Sequence, residues 1–439
     1  MNMHTCGFHA DLTIETRSSC PLSPLRWTVP PWVHRPRLLP DRVVLPASLC
    51  DNGYGARFDC DHEKDRHAGR TDFEHSGLMM KRAIRVALAG AVCYTGLLSL
   101  IRRSPYRRSS AIILMYHRVL PAQPDDSPQG DWERVRSLPG IVVTPEMFDA
   151  QLSFLARHYN VISLARLLQH LNSGNSLPAR TVAITFDDGW RDNYTYAFPL
   201  LKKHNLPATV FLTANYVGTL NVFWPELVIW YLSGIEDLLA LTAPDPMFDA
   251  ASRFSTLFRS VMAASGPKRL DLLEQLINRM KELAPETRAA ILAGLEALYS
   301  RSGRTRNSVR VVLDWNEIAE MQTGGISFGS HGTTHELLTL IDRRHREEEL
   351  VSSRMLLESQ LGTVIDMLAY PNGAFDDEVK LLAARCGYSC AVSVRRARVS
   401  YASDRYALGR INIHQGCCRG ILGCFSPALF ACHIEGFPT

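Results

Sequence analysis

The segment TVAITFDDG, residues 181–189, decides the fold of this 439-residue chain. Val182 to Phe186 is a short apolar run of the length expected for a buried strand, and it leads directly into Asp187 and Asp188. The pair Asp-Gly is by itself a strong signal for a hairpin turn. However, the residues that follow, WRDNYTYAFPLLKKH at 190–204, are typical of a helix rather than of a returning strand. A buried strand that leads into a helix begins a βαβ unit, which predicts a parallel sheet.

The same alternation of strand and helix extends to both sides of this segment. Further strands are predicted at 111–116, 208–213, 326–329, 365–370, 389–394 and 407–413. Helices are predicted at 144–158, 163–171, 315–322, 343–361 and 376–386. About seven such units predict an α/β fold, a distorted (β/α)7-type barrel, with catalytic groups at the carboxyl ends of the strands. Residues from about 222 to 312 interrupt the alternation with strong helix formers, so we expect a helical insertion there.

The N-terminal hundred residues differ from the barrel, whose domain we expect over 109–439. Residues 1–78 are rich in Pro, Arg, His and Cys and lack periodicity, so they are expected to be disordered or to precede the true start near Met79 and Met80. Residues 80–104 place three basic residues before sixteen uncharged ones, which is the layout of a signal sequence. We expect an uncleaved single-pass anchor in a bacterial-type inner membrane. A cleaved signal with export to the periplasm or extracellular side is the alternative, and a buried helix is a third interpretation.

The overall composition is that of an ordinary globular protein. It is 46% hydrophobic and 21% charged, and the formal net charge of +4 gives no reason to expect nucleic acid as a partner. The eleven cysteines show no regular spacing, so no disulfide framework is predicted.

Two further polar clusters follow predicted strands. His331 and His335 lie in SHGTTH, residues 330–335, and a spacing of four lets two imidazoles face the same way on one helical turn. The pair alone is a weak signal, but its place at a strand end, with Asp187 and Asp188 upstream, strengthens it. One Asp and two His leave open positions on a divalent metal, as water activation requires. The third cluster, YPNG at 370–373, is typical of a turn when it is taken alone.

In this order, TFDDG, SHGTTH and YPNG resemble the polysaccharide deacetylases of the NodB-homology type, carbohydrate esterase family 4. The likeness covers about residues 111–414, apart from the helical insertion. The resemblance implies that Asp187 is the catalytic base. It implies that Asp188, His331 and His335 bind a divalent metal, zinc with cobalt or nickel as alternatives. It also implies that the backbone N–H of Tyr370 helps to hold the oxyanion.

The acid that protonates the departing amine has two candidates. MYHRV at 115–119 resembles the YHxV strand of the permuted subgroup, which includes poly-β-1,6-N-acetylglucosamine deacetylases, and this likeness favours His117. INIH at 411–414 is a looser match to the Leu-x-His motif of other members and keeps His414 as the alternative. The usual Arg-x-x-Pro form of the third motif is absent, because Leu368 and Ala369 precede Tyr370. The group that orients the base is therefore not predicted.

The resemblance implies a metal-dependent hydrolase that removes N-acetyl groups from the amino sugars of a polysaccharide or glycan. The partners it implies are an N-acetylated polysaccharide or oligosaccharide, and residues 80–104 add a membrane. Two alternatives stay open: a membrane-anchored, inactive glycan-binding protein with the same barrel, and a deacetylase of a lipid-linked sugar. The Asp pair and both histidines argue against pure binding, since a sugar groove has no need for three metal ligands.

Overall fold

One curved sheet of parallel strands forms the centre of the molecule. The computed structural model describes residues 80–121, 137–174, 177–234, 252–303 and 309–437, all within one compact unit. The strands are β1 (Ile112–Tyr116), β2 (Arg118–Val119), β3 (Val142–Val143), β4 (Asn160–Val161), β5 (Thr181–Phe186), β6 (Thr209–Leu212), β7 (Ser327–Ser330), β8 (Met367–Ala369), β9 (Cys390–Val392) and β10 (Ile411–Asn412). Seven of them lie in the order β10-β1-β5-β6-β7-β8-β9, β4 pairs with β5, and β2 pairs with β3 in a separate ribbon.

The last stretch of chain before β10 contacts both edges of this sheet. Leu408 forms a parallel bridge with Val392 of β9. Three residues later, Ile411 lies opposite Leu114 of β1. The sheet therefore closes on itself through residues 408–412, and the predicted distorted (β/α)7-type barrel is confirmed.

Helices cover the outside of the barrel. They are α1 (80–94), α2 (Leu97–Arg102), α3 (Pro105–Arg108), α4 (Pro145–His158), α5 (Leu164–Ser173), α6 (Phe198–His204), α7 (Trp224–Gly234), α8 (Ser252–Ala263), α9 (Gly266–Lys281), α10 (Pro285–Arg301), α11 (Trp315–Thr323), α12 (Arg343–Leu361), α13 (Asp377–Arg385) and α14 (Pro427–Ile434). Thr144 caps α4 by accepting a hydrogen bond from the backbone N–H of Met147 at 3.3 Å. Gly362 ends α12 with a φ of 63°.

Two predicted elements differ from the observed ones. The helix predicted over 190–204 is a regular α-helix only from Phe198, because residues 193–197 form a π-helical turn. The strand predicted at 407–413 has regular pairing only at β10. Its earlier residues instead join the two edges of the sheet, where the backbone N–H of Arg410 donates to the carbonyl of Arg395 at 3.0 Å.

The helical insertion consists of α7 to α10 and has an apolar core of its own. Its buried side chains include Leu232, Val261, Ile277 and Leu295. The barrel has separate cores on the two faces of its sheet, one of which contains Leu114 and Phe186. The insertion thus packs as a helical layer attached to the barrel.

The N-terminal helices pack on the C-terminal end of the chain. Ala89 of α1 is fully buried against Leu429 and Cys432 of α14. The chain turns at Gly96, whose φ is 77°, before α2 begins. Within the described ranges, no helix combines the length and the apolar character needed to cross a membrane, so the anchor predicted at 80–104 is not supported. The predictions for residues 1–78 lie outside the described residues.

Candidate active site

A tight turn after β5 separates the two adjacent carboxylates. Asp188 has a φ of 75° and Gly189 a φ of 78°, both in the left-handed region. A side chain at position 189 would bring its Cβ within 2.8 Å of the Leu212 side chain, so the close approach of β6 also requires glycine. The turn directs Asp187 toward Arg410 and Asp188 toward the two histidines.

Asp188, His331 and His335 form one cluster at the carboxyl ends of β5 and β7. Oδ1 of Asp188 lies 3.3 Å from Nε2 of His331 and 3.4 Å from Nε2 of His335. One donor atom from each residue lies within 4.8 Å of the other two. The structure thus brings together the three metal ligands that the sequence resemblance implies.

A backbone contact fixes the orientation of the His331 imidazole. Nδ1 of His331 lies 2.7 Å from the carbonyl oxygen of Ala369, an acceptor, so this nitrogen carries the proton and Nε2 presents its lone pair to the cluster. Glu349 of α12 accepts the backbone N–H of Thr333 at 2.7 Å and that of Thr334 at 3.0 Å, which holds the loop between the two histidines.

The donor set fits a small divalent cation. Two ligands about 2.0–2.1 Å from a tetrahedral zinc are roughly 3.3 Å apart. The separations of 3.3 and 3.4 Å from Asp188 to the two imidazole nitrogens match this spacing. Three protein ligands leave a coordination position for water or substrate, as in catalytic rather than structural zinc sites.

Asp187 forms a buried, two-pronged ion pair with Arg410. The two terminal nitrogens of the guanidinium lie 2.6 Å from the two carboxylate oxygens. Arg410 is fully buried and also donates to the carbonyl of Ser393 at 3.1 Å and to the hydroxyl of Thr185 at 3.2 Å. Burial opposes ionisation of Asp187, but the charge of Arg410 and its hydrogen bonds outweigh it and hold the carboxyl pKa below its usual value. Asp187 is therefore ionised and fixed in direction.

The two candidate acids differ in their surroundings. His117 follows β1 beside Asp187, whose backbone N–H donates to the carbonyl of Tyr116 at 3.0 Å. Burial lowers the pKa of His117, while the charges of Asp188 and Asp187 oppose this shift. His414 follows β10 on the other side of β1. Its ring faces that of His433 at 6.4 Å, and burial, then the charge of Arg85, lowers its pKa.

Tyr370 has its backbone N–H already engaged. This N–H donates to the carbonyl of Val392 at 3.2 Å as part of the pairing between the two strands. Its hydroxyl donates to the carbonyl of Tyr406 at 2.9 Å. An oxyanion role for this N–H therefore requires the bond to Val392 to be shared or exchanged.

Comparison with known proteins identifies a similar family. A family model described as "Polysaccharide deacetylase" matches residues 174–237 and 291–391, which include Asp187, Asp188, His331, His335 and Tyr370. These two ranges of the chain are similar to the polysaccharide deacetylase family. The gap between the two matched ranges falls within the helical insertion.

Individual relatives match smaller parts. The poly-β-1,6-N-acetyl-D-glucosamine N-deacetylase of Staphylococcus epidermidis is 32% identical over 121 residues, which is 27% of this chain and 42% of the relative. The Staphylococcus aureus (strain N315) protein of the same name is 31% identical over 121 residues, 27% of this chain and 41% of the relative. The chain therefore spans less than half the length of these relatives.

Two solved structures are similar to this chain at low identity. The Streptococcus pyogenes deacetylase PplD, in complex with acetate, is 20% identical with a TM-score of 0.47, covering 74% of this chain and 98% of that chain. IcaB from Ammonifex degensii is 18% identical with a TM-score of 0.44, covering 75% of this chain and 98% of that chain.

Several residues that support the candidate active site are not predicted from the sequence. Nε1 of Trp190 donates to Oδ2 of Asp188 at 2.8 Å, which leaves Oδ1 for the histidine side. The Arg118 guanidinium lies over the Trp190 ring at 4.1 Å and pairs with Asp192 at 3.0 Å. The sequence pattern predicts Trp190 only as the start of a helix. Arg410 was a charged residue within a predicted buried strand, and that was the available signal.

The helical insertion also reaches the candidate active site. Phe223 packs edge-on against His335 with ring centroids 5.2 Å apart. Nζ of Lys281 donates to Oδ1 of Asn372, in the YPNG turn, at 2.9 Å. Arg288 pairs with Glu336, the residue after His335. The insertion therefore packs against two of the three motif loops.

Proposed function

We propose that this chain is a metal-dependent hydrolase that removes N-acetyl groups from the amino sugars of a polysaccharide. The observation that carries the proposal is the placement of an ionised Asp187 beside three convergent donors from Asp188, His331 and His335. The names of the two staphylococcal relatives make a polymer of β-1,6-linked N-acetylglucosamine the first substrate to test.

Asp188, His331 and His335 would hold the cation, with zinc first and cobalt or nickel as alternatives. When bound, such a cation supplies Lewis-acid polarisation of the acetamide carbonyl and of water. The protein's part is to fix the ligands. Trp190 donates a hydrogen bond to Oδ2 of Asp188, and the carbonyl of Ala369 fixes the tautomer of His331.

Asp187 would take the proton from the attacking water. Its low pKa keeps the carboxylate ionised at neutral pH, and the two bonds from Arg410 hold its direction. A carboxylate with a lowered pKa is a weak base. It is therefore suited to take a proton from a water molecule whose own pKa is also lowered. Arg410 thus takes the orienting role for which the third sequence motif offers no arginine.

His117 would donate the proton to the departing amine. It lies beside Asp187 across the β1–β5 pair, whereas His414 lies beyond β1. Nδ1 of His117 is buried and makes no hydrogen bond to any described residue, so the ring has polar capacity left for substrate. Burial lowers the pKa of His117, but the negative charges of Asp188 and Asp187 oppose this shift and so support the protonated ring that such a step needs.

Acetate release from N-acetylglucosamine oligomers by the full chain tests the proposal. Wild-type protein is expected to release acetate and to lose this activity with a chelator. Asp187→Asn should bind metal but not turn over, and His331→Ala should lose both. His345→Ala, whose exposed side chain pairs with Asp342, is the matched control and should behave as wild type.

The outcomes separate the alternatives. Oligomer binding without acetate release would make the chain an inactive glycan-binding protein. Acetate release only from a lipid-linked sugar would assign that substrate instead. Full activity of Asp187→Asn would remove the assigned base.

A further inference from the structure

A cavity lined by arginines lies at the opposite end of the barrel from the candidate metal ligands. It has a volume of about 280 Å³, and its lining residues are Ser99, Arg102, Arg103, Arg107, Arg108, Ala179, Arg180, Arg398 and Glu435. Arg180 directly precedes β5, and Arg398 donates to the carbonyl of Ser110, just before β1. The cavity therefore lies at the amino ends of strands whose carboxyl ends carry the candidate active site.

One carboxylate and six guanidinium groups line this arginine pocket, and three of the guanidinium groups pair with the carboxylate. The Glu435 side chain is 2% exposed and pairs with Arg102 at 2.8 Å, Arg107 at 2.8 Å and Arg398 at 3.0 Å. It also accepts the hydroxyl of Tyr159 at 2.9 Å. Both oxygens of Glu435 are thus fully used by groups already in place.

The remaining arginines add positive charge that the pocket does not balance. Arg103 and Arg108 are exposed and form no ion pair with any described residue, and Arg180 donates to the carbonyl of His158 at 3.4 Å. Six arginines and one glutamate give the lining a formal charge of +5. Several convergent guanidinium groups are the arrangement that recognises phosphate oxygens, because each presents paired N–H donors.

The chain segment that supplies four of these arginines also exposes large apolar side chains. Met80, Ile84 and Leu88 are exposed at a spacing of four on α1, so they lie along one face of the helix. Leu100 of α2 and Tyr106 of α3 are exposed next to the arginines in the sequence. Exposed apolar side chains combined with a basic cluster characterise segments that lie at the surface of a membrane.

We propose that the arginine pocket binds phosphate groups of anionic phospholipids and that the exposed apolar side chains of α1 to α3 contact the same lipid surface. Charge complementarity favours an anionic lipid over an uncharged one. The pocket carries an excess of positive charge, and anionic headgroups present negative charge at high density. The barrel would then rest on lipid through the amino ends of its strands, and the candidate active site would face away from the membrane.

Cosedimentation of the full chain with lipid vesicles tests this proposal. Wild-type protein is expected to bind vesicles of phosphatidylcholine with phosphatidylglycerol far better than vesicles of phosphatidylcholine alone. Changing both Arg103→Glu and Arg108→Glu should weaken this binding by at least about 30-fold, at about tenfold per 1.4 kcal/mol and about 1 kcal/mol for each arginine. Acetate release from soluble oligomers should be unchanged, because neither residue touches the metal cluster.

The matched control changes Arg343→Glu and Arg385→Glu, two exposed arginines of α12 and α13 that do not line the pocket. An equal loss of vesicle binding in the control variant would show that net charge alone attracts the lipid. That result would overturn the proposal that the arginine pocket binds it. Saturable binding of inorganic phosphate without vesicle binding would assign a soluble phosphate ligand instead of lipid. In another outcome, the chain dimerises reversibly in sedimentation velocity and does not bind vesicles. If Arg103→Glu and Arg108→Glu abolished that dimerisation, the surface would be assigned to a second copy of the chain.

Discussion

Replacing Arg410 by methionine removes the partner of a buried carboxylate and keeps most of the apolar volume. Asp187 would lose two charge-assisted bonds of 2.6 Å and remain almost fully buried. Breaking a buried ion pair from one side costs about 3–5 kcal/mol, because the charge left behind is uncompensated. We therefore expect Arg410→Met to lower the free energy of unfolding by about that amount at pH 7, measured by urea unfolding.

The pH dependence of this loss identifies its cause. In the wild type, the pKa of Asp187 lies below its unfolded value, so its stabilising contribution is present above the unfolded pKa and is lost as pH falls through the folded pKa. Without Arg410, burial raises the folded pKa above the unfolded one, and the carboxylate destabilises the protein at neutral pH. The loss in free energy of unfolding caused by Arg410→Met should therefore become smaller at acidic pH. The acid limb of its activity profile should move to higher pH, because the base is protonated there.

The double variant Asp187→Asn with Arg410→Met is the control. Because it removes the orphaned charge, it should be more stable at pH 7 than Arg410→Met alone. A deficit of the same size at every pH, undiminished in the double variant, would mean that packing of Arg410 and not its charge supports the site. That result would refute the electrostatic reasoning.

Three further predictions concern the acid, the ligand sphere and the turn. His117→Ala should lower acetate release by about 10²–10⁴-fold at equal metal content, while His414→Ala leaves it nearly unchanged, and the reverse order would exchange their roles. Trp190→Phe keeps an aromatic ring but removes the donor to the metal-binding carboxylate, so metal affinity in a chelator competition should fall about 10–100-fold. Gly189→Ala should lower the free energy of unfolding by about 1–3 kcal/mol in urea unfolding. The loss should exceed that of Gly174→Ala, because Gly174 also has a positive φ but has open space around it.

The features predictable from the sequence are those encoded within a few consecutive residues. The strand before Asp187 and the helix after Thr144 are local patterns of apolar spacing and capping. His331 and His335 were selected because they follow a strand end, and parallel strands bring such ends together. The ordering of three short motifs then indicated the family.

The features that the sequence did not reveal depend on distant packing. Arg410 is separated from Asp187 by 223 positions, and nothing in the residues around it names its partner. Hydrophobicity over 86–101 indicated a membrane anchor, but it does not distinguish a spanning helix from one that packs on α14. Phe223 reaches His335 only because the insertion folds back over the loop.

The position of Arg410 on the closing stretch of the barrel has a consequence for when the protein acquires its chemistry. During synthesis, Asp187, Asp188, His331 and His335 all emerge well before residue 410. A nascent chain can therefore contain all three candidate metal ligands while Asp187 still lacks its guanidinium partner. Asp187 is held in a fixed direction only after residues 408–412 have joined the two edges, so the proposed base is oriented later than the candidate ligands are synthesised.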